Sequence, residues 1–550
     1  MLQIHQMLAT QNKSRLVGAN APGIISAVGK CRIGFQPLMT YSPGPIGVVA
    51  KSGTLSYETV ASLTRAGMGQ SICIGMGGDV VAGTDFIDAL KMFEADEDTE
   101  GIVLVGEVGG TAEEEAAAWI KDYKKRVKNP KPISALVGGI CAKQGKVMGH
   151  AGAWAAPGEG TALDKWKALE GAGVTMVDHP EKFGPVMKQL MSSGSTSISS
   201  SVGATAGQRR GYHTMRTRPQ VNRRVHQATQ KRSLHLRTDQ AADLLKQQGI
   251  ETVETPKDES DSRLLVLTIA RSARSPSIIV SPTTKGDAMH QRSVHIPYNY
   301  ETGPESEQLK EALRILQLSS ASAPVQAAAS ELIKKLATLF KEKEAVSLEV
   351  KISAPGAEPT LSLYSPNFTF DDAAFRSTKR HQDLHALRDT SLEDPTELAA
   401  EPDGIVYVKL VKPTPNNEPR NIGTLVNGAG LAMNTVDALE TYGGYSTNFL
   451  DTGGKATSET VKKSFELILK DDRVKVIFVN IFGGLTLGDM IARGVILAFK
   501  ELEMSKPVVV RIRGTNEAEG QKLIAESGLK LFAYQDFADA AQKVVELANA

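Results

Sequence analysis

The sequence is poor in cysteine: Cys31, Cys73 and Cys141 are the only three in 550 residues. Their spacing gives neither a paired disulfide framework nor a zinc-ligand pattern, so they read as small core residues. Long apolar runs are also missing. None approaches the roughly 20 residues needed to cross a bilayer, and Met1-Leu2-Gln3-Ile4 lacks the charged start and apolar core of a secretory signal. The protein is therefore expected inside the cell, in the cytosol or a mitochondrion. Net charge is nearly absent as well, with 63 basic against 62 acidic residues. That balance gives no reason to expect a nucleic-acid or membrane-surface partner and leaves small metabolites as the fitting class.

What the chain has is length and alternation. Its size suggests about three or four domains. Up to residue 191, β-rich runs such as Ile46 to Ala50, Ile102 to Val105 and Val174 to Val177 alternate with amphipathic stretches, which predicts a parallel α/β sheet. A second α/β domain is expected over 403–550, with buried strands at Val476 to Val479 and Val508 to Val510 and a helix from Val461 to Leu469. Between them, 192–232 is rich in Ser, Thr, Arg and Gln without an acidic residue, and reads as a disordered basic linker. The region 233–400 reads as a third, less regular domain. It has a helical pattern at Ala241, Leu244, Leu245 and Ile250, and strands at Ile278 to Val280 and Val346 to Val350.

Two segments have the form strand, short Gly/Ser/Thr loop, helix. One carries Ser52, Gly53 and Thr54; the other carries Gly453, Gly454 and Thr457. Such turns aim unpaired backbone N-H groups and the positive end of a helix dipole at one point, making each a candidate phosphate cradle. Gly75-Met76-Gly77-Gly78 and Gly109-Gly110 lack a full dinucleotide fingerprint and read as tight turns. Glu107 follows a strand end, where open parallel sheets place ligand-side residues. His150 is flanked by Gly149, Ala151 and Gly152. No carboxylate lies close by in sequence, and these small neighbours leave its imidazole accessible.

The segment Met148-Gly149-His150-Ala151-Gly152-Ala153 resembles the phosphohistidine loop of the succinate-CoA ligase α subunit. Gly106-Glu107-Val108-Gly109-Gly110-Thr111-Ala112-Glu113-Glu114-Glu115 resembles its glutamate segment, and Ser52-Gly53-Thr54-Leu55 and Gly18-Ala19-Asn20-Ala21-Pro22-Gly23 match other α-subunit motifs. Asn427-Gly428-Ala429-Gly430-Leu431-Ala432-Met433, Asn448-Phe449-Leu450-Asp451 and Val479-Asn480-Ile481-Phe482-Gly483-Gly484 resemble the last domain of the β subunit. The order resembles a fusion of an α-type to a β-type segment. It implies an α/β architecture of two flavodoxin-like parallel-sheet domains, joined by the linker and a degenerate ATP-grasp-like α+β domain.

The resemblance implies an acid-CoA ligase that uses ATP or GTP with magnesium, a small carboxylic acid, and coenzyme A as substrate. His150 would carry phosphate, Glu107 would orient its ring, and the cradles at Ser52 and Gly453 would hold the phosphate from opposite sides. Asn427 and the Gly483-Gly484 turn would contact the acid. Leu487 stands where the succinate enzymes carry arginine, which implies a less polar acid.

Two departures leave other readings open. The family's CoA-holding domain precedes the matched region, so a second subunit could supply that site. In the middle region Lys351 and Tyr364 align where the family holds magnesium, with Glu349 kept nearby, and a lysine ammonium would repel the ion. A phosphohistidine carrier, or a non-catalytic paralogue that binds or regulates a complete family subunit, therefore stands beside the ligase.

Overall fold

A computed structural model of the chain describes residues 1–143, 146–155, 159–192, 233–254, 261–354, 361–371, 375, 379–414, 417–453, 456–484 and 486–550. The expected linker lies almost wholly outside the described residues. The chain is α/β, with three sheets among the described residues.

The first sheet contains β1 (Gly23–Ser26), β2 (Cys31–Gly34), β3 (Pro43–Ala50), β4 (Gln70–Gly75), β5 (Gly101–Glu107), β6 (Ile133–Gly138) and β7 (Thr175–Met176). Their order is β2-β1-β4-β3-β5-β6-β7. The last five strands are parallel, and the β1-β2 hairpin lies antiparallel on the β4 edge. Helix α1 (Gly53–Arg65) follows β3 and α2 (Ala112–Arg126) follows β5. Apolar side chains along β5 and from Ile46 to Ala50 of β3 are buried, as expected for strands covered on both faces. Of the three cysteines read as core residues, only Cys73 is buried. Cys31 is exposed because β2 is an edge strand.

The middle domain is more regular than its sequence suggests. It contains β8 (Ser233–His235), β9 (Arg263–Ala270), β10 (Ser275–Ser281), β11 (Val294–Pro297), β12 (Ala345–Ser353) and β13 (Ser362–Asp371), all antiparallel, in the order β11-β10-β9-β12-β13-β8. The 20-residue helix α3 (Ala323–Glu342) buries Leu332, Ile333, Leu336 and Phe340 in the core of this domain. Leu2 packs against the same core, so the first turn of the chain sits on the middle domain.

The last sheet contains β14 (Val406–Lys409), β15 (Ile422–Val426), β16 (Asn448–Asp451), β17 (Val476–Gly483), β18 (Val508–Gly514) and β19 (Leu531–Tyr534), ordered β14-β16-β15-β17-β18-β19. All but β14 are parallel. Its helices include α4 (Pro395–Ala400), α5 (Ala429–Thr441), α6 (Ser458–Leu469), α7 (Gly488–Glu501) and α8 (Phe537–Asn549). Helix α4 falls within the stretch read as the middle domain, yet Ala400 is buried in the C-terminal core.

Both parallel sheets have the order second, first, third, fourth, fifth, which is that of flavodoxin-like folds. Ligands of such sheets bind at the carboxyl ends of the first and third strands, where the winding reverses. In the first domain those are the ends of β3 and β5, followed by Ser52 and Glu107. In the last domain they are the ends of β15 and β17, followed by Asn427 and Gly483. The two ends face each other: Ala429, Met433, Phe449 and Phe482 share one apolar cluster with Leu55, Leu104 and Met148. Among the described residues, no helix is long and apolar enough to cross a membrane.

Candidate functional site

The His150 loop is a tight knot of backbone bonds. Met148 N-H donates to Ala153 O, and Ala153 N-H to His150 O, each at 3.0 Å, while Gly152 N-H donates to Gly78 O at 2.8 Å. His150 Nδ1 lies 2.7 Å from Glu107 Oε2. A buried carboxylate at this distance favours the tautomer protonated at Nδ1. The ring is not widely open to solvent, since the His150 side chain is only 14 % exposed. Gly78 accounts for much of this. A Cβ built on it would stand 2.2 Å from His150 Cγ, so Gly78 is the platform on which the ring rests as well as part of a turn.

Glu107 is itself held in place. Its backbone N-H donates to Glu113 Oε1 at 3.0 Å, and Glu113 is gripped by Lys51 at 2.8 Å and Lys165 at 2.7 Å. Burial alone would raise the Glu113 carboxyl, but the two ammonium groups hold it down at about 2. Asp79, also near His150, is pushed above the usual carboxylate range by burial, against the pull of the histidine and a hydrogen bond with Asn20. A narrow cavity of about 50 Å³ lies beyond Glu107, between Lys51, Asp79 and Thr111, and is roofed by Arg271 and Arg274 of the middle domain.

The other face of the loop meets two helix N-termini. A Cβ on Gly149 would lie 2.4 Å from Ala429 Cβ, at the first residue of α5. A Cβ on Gly430 would lie 2.2 Å from Ser52 Oγ, and one on Gly428 would lie 2.4 Å from Thr54 Oγ1. The N-termini of α1 and α5 therefore abut, with the His150 loop against them. Their dipoles and unpaired N-H groups favour negative charge at that point. Asp451 supplies some already: its Oδ1 accepts from Gly428 N-H at 2.6 Å and from Gly453 N-H at 2.7 Å.

With this geometry in view, the relatives are informative. Residues 49–175 and 425–545 match the CoA-ligase family model. Both matched segments contribute to the site: the first holds Ser52, Glu107 and His150, the second Asn427 and Gly483. Over 175 residues in its N-terminal part it is 49 % identical to the succinate-CoA ligase [ADP-forming] α subunit of Staphylococcus epidermidis, covering 32 % of this chain and 56 % of that protein. The corresponding Staphylococcus aureus subunit is 48 % identical over the same length and shares. The chain thus spans little more than half the length of these curated relatives. ATP citrate lyase from Methanothrix soehngenii, solved with citrate and coenzyme A, superposes with a TM-score of 0.41 at 16 % identity, covering 56 % of this chain and 81 % of that one. A dinucleotide-forming acetyl-coenzyme A synthetase from Ca. Korarchaeum cryptofilum, solved with phosphate and ADP, gives 0.28 at 14 % identity, covering 100 % and 74 %.

Within the second matched segment, several residues singled out in the sequence make bonds inside the fold. Asn427 is buried, and its carboxamide is engaged at both ends by Phe482, donating to its carbonyl and accepting its N-H, each at 2.9 Å. It clamps β15 to β17 and does not reach outward. Thr457 caps α6 through Thr460 N-H, so its hydroxyl serves the helix. Gly453 N-H is taken by Asp451, and Gly454 lies outside the described residues. The start of α5 faces Ser52. Its signal in the sequence is the strand-to-helix turn Asn427-Gly428-Ala429-Gly430, of which only Asn427 was expected at the site, as a contact to the acid.

Gly484 packs against the Tyr57 ring of α1, and Gly483 O accepts from Thr515 N-H at 2.9 Å. Leu487, the residue before α7, is 40 % exposed. In the middle domain Lys351 and Tyr364 are register partners across β12 and β13, and the Tyr364 hydroxyl bonds to Ser262. This ammonium-phenol pair does not fit magnesium, which wants oxygen ligands in an octahedron. Among the described residues, no group of three His, Cys, Asp or Glu side chains is placed to hold a metal.

Proposed function

We propose that the chain is an acid-CoA ligase that carries phosphate on His150, acting on a carboxylic acid other than succinate. The observation that carries the reading is the His150-Glu107 pair, set against the abutting N-termini of α1 and α5. Nε2 attacks the terminal phosphorus of a nucleoside triphosphate and the diphosphate leaves. The acid's carboxylate then takes the phosphoryl group to give an acyl phosphate, and the coenzyme A thiol displaces phosphate from it. Covalent transfer through histidine splits one difficult step into easier ones. Glu107 orients the ring and offsets the charge of the imidazolium, while the helix N-termini offset the negative charge of the phosphoryl group.

Leu487 supports a less polar acid. Thr515 ties both ends of its turn, accepting Gly488 N-H at 2.9 Å and donating its own N-H to Gly483. Lys351 and Tyr364 do not offer magnesium the oxygen ligands it needs. That mismatch favours, as the second reading, a carrier that takes phosphate on His150 from an acyl phosphate without a nucleotide site in the middle domain.

The test is to incubate the chain and His150→Ala with γ-labelled ATP and magnesium, then with carboxylic acids and coenzyme A. Acid-labile label in the wild type alone, followed by acyl-CoA, supports the ligase. Label obtained only from an acyl phosphate supports the carrier, and no label from any donor rejects both.

A further inference from the structure

Arg271 stands at the tip of the hairpin joining β9 to β10. The turn Arg271 to Arg274 is closed by Arg274 N-H donating to Arg271 O at 3.1 Å, with a φ of 51° at Arg274. This tip leaves the middle domain and lands on the first domain at three points. Arg271 Nη1 donates to Gly152 O at 2.9 Å and Nη2 to Trp154 O at 3.3 Å. Its guanidinium carbon lies 4.9 Å from the centre of the Trp154 ring, and Nε is 3.5 Å from Glu159 Oε1. Ser272 bonds to Glu115 and Thr111, and Arg274 pairs with Asp85 and Asp88. Gly109 and Gly110 make the approach possible, since a Cβ on Gly109 would stand 2.9 Å from Arg271 Nη1 and 2.2 Å from Gly152 O.

The carbonyls that Arg271 holds belong to the loop that presents His150. Trp154 is folded back on that loop, its Nε1 donating to Ala151 O at 3.0 Å. On the other side of His150, Lys146 Nζ meets Glu397 Oε2 of α4 at 2.8 Å, with both side chains almost fully buried. The loop is thus tied before the histidine to the C-terminal domain and after it to the middle domain. Only a planar guanidinium can reach two carbonyls while stacking on an indole; a lysine ammonium cannot do both.

We infer that Arg271 is a positioning residue through which the middle domain sets the conformation of the His150 loop. Its effect on phosphate transfer rests on the reading of His150 as the carrier; its hold on the loop does not. A middle domain without a fitting magnesium site then still has work to do, as the element that orders the loop.

The experiment compares the full chain with Arg271→Ala and Arg271→Lys by amide hydrogen exchange and by the rate of His150 labelling from γ-labelled ATP with magnesium. In Arg271→Ala, exchange of the loop amides around 148–154 rises by about tenfold or more, the scale of losing bonds to a charged donor. Amides of β12 and α5 stay unchanged. Labelling slows by a similar factor while its final extent is kept, and millimolar ethylguanidinium restores both rates. Arg271→Lys, which keeps the charge and guards against a folding failure in the alanine variant, lies between. Unchanged loop exchange in both variants, or a rise spread evenly over the chain without rescue, overturns the inference. A wild type that takes no label, but whose loop exchange responds to Arg271→Ala, supports the hold on the loop and rejects the carrier reading alone.

Discussion

Arg511 on β18 and Glu58 on α1 form an ion pair in which neither side chain has any exposed surface. Arg511 also holds Asn480 at 2.8 Å and Glu181 at 2.6 Å, and Glu181 accepts the Phe537 N-H that opens α8. The pair crosses between the first and last domains, which have separate sheets. An ion pair so deeply buried gains little over a well-packed apolar pair, but removing one partner strands the other. Arg511→Met should therefore cost about 3–5 kcal/mol in the urea transition that reports the two parallel-sheet domains. Adding Glu58→Gln should recover a measurable part, and a single variant as stable as the wild type would refute the role of the pair.

The Glu107→Gln variant keeps the shape of the segment but presents either a neutral oxygen or an amide N-H to His150. Orienting carboxylates of this kind contribute about 10–100-fold in metal-site histidines, and a similar loss is expected in the rate of His150 labelling. Stability should change little by comparison, because Lys51 and Lys165 hold Glu113 and not Glu107. Equal labelling rates in the two proteins would remove Glu107 from the site.

Gly78→Ala adds one methyl group at a position with ordinary backbone angles, and that methyl would meet the His150 ring. The ring must turn off Glu107 or the turn at Gly78 must shift, at a cost of about 1–3 kcal/mol typical of overpacking. Labelling should fall together with the His150-Glu107 hydrogen bond, read from the downfield imidazole N-H signal in proton NMR. A retained signal with normal labelling would contradict the packing described here.

Thr457→Ala separates capping from phosphate binding. Loss of the cap on α6 should cost about 1 kcal/mol, with no change in the labelling rate measured on protein that remains folded. A large fall in labelling would return Thr457 to the phosphate site.

Asp437 accepts the N-H groups of Gly139 and Cys141 at 2.7 Å and of Ile140 at 3.0 Å across the domain interface. Burial nevertheless pushes its carboxyl up to about 6, with the three N-H groups opposing. The folded value lies above the unfolded one, so the native state binds more protons between them. The contribution of this group to stability is full below about pH 4 and is lost as pH rises through about 6. The stability of the wild type relative to Asp437→Asn should fall as pH is raised across that window; a flat difference would argue against the shift.

The elements that could be read from sequence are those fixed by local pattern. The apolar runs of β3, β5, β17 and β18 announce buried parallel strands, and the small-residue loop around His150 stands out in any helix or strand period. The antiparallel strands of the middle domain were only partly legible. Ser362–Asp371, for example, mixes buried and exposed residues and pairs with partners distant in the chain. The bonds of Asn427 and Thr457 within the fold were not legible, because a polar residue after a strand looks the same whether it faces a ligand or satisfies the backbone.

The sequence by itself determined the α/β character of the first and last domains and the presence of a histidine loop and a glutamate segment, since periodicity and residue chemistry are local properties. Only the tertiary structure decided which groups meet. Glu107 reaches His150 across 43 positions and Arg271 reaches Gly152 across 119. Ser52 meets Gly430 because two sheets bring their switch points together. Contacts of that range depend on how packed cores orient whole domains, and no spacing within the chain encodes them.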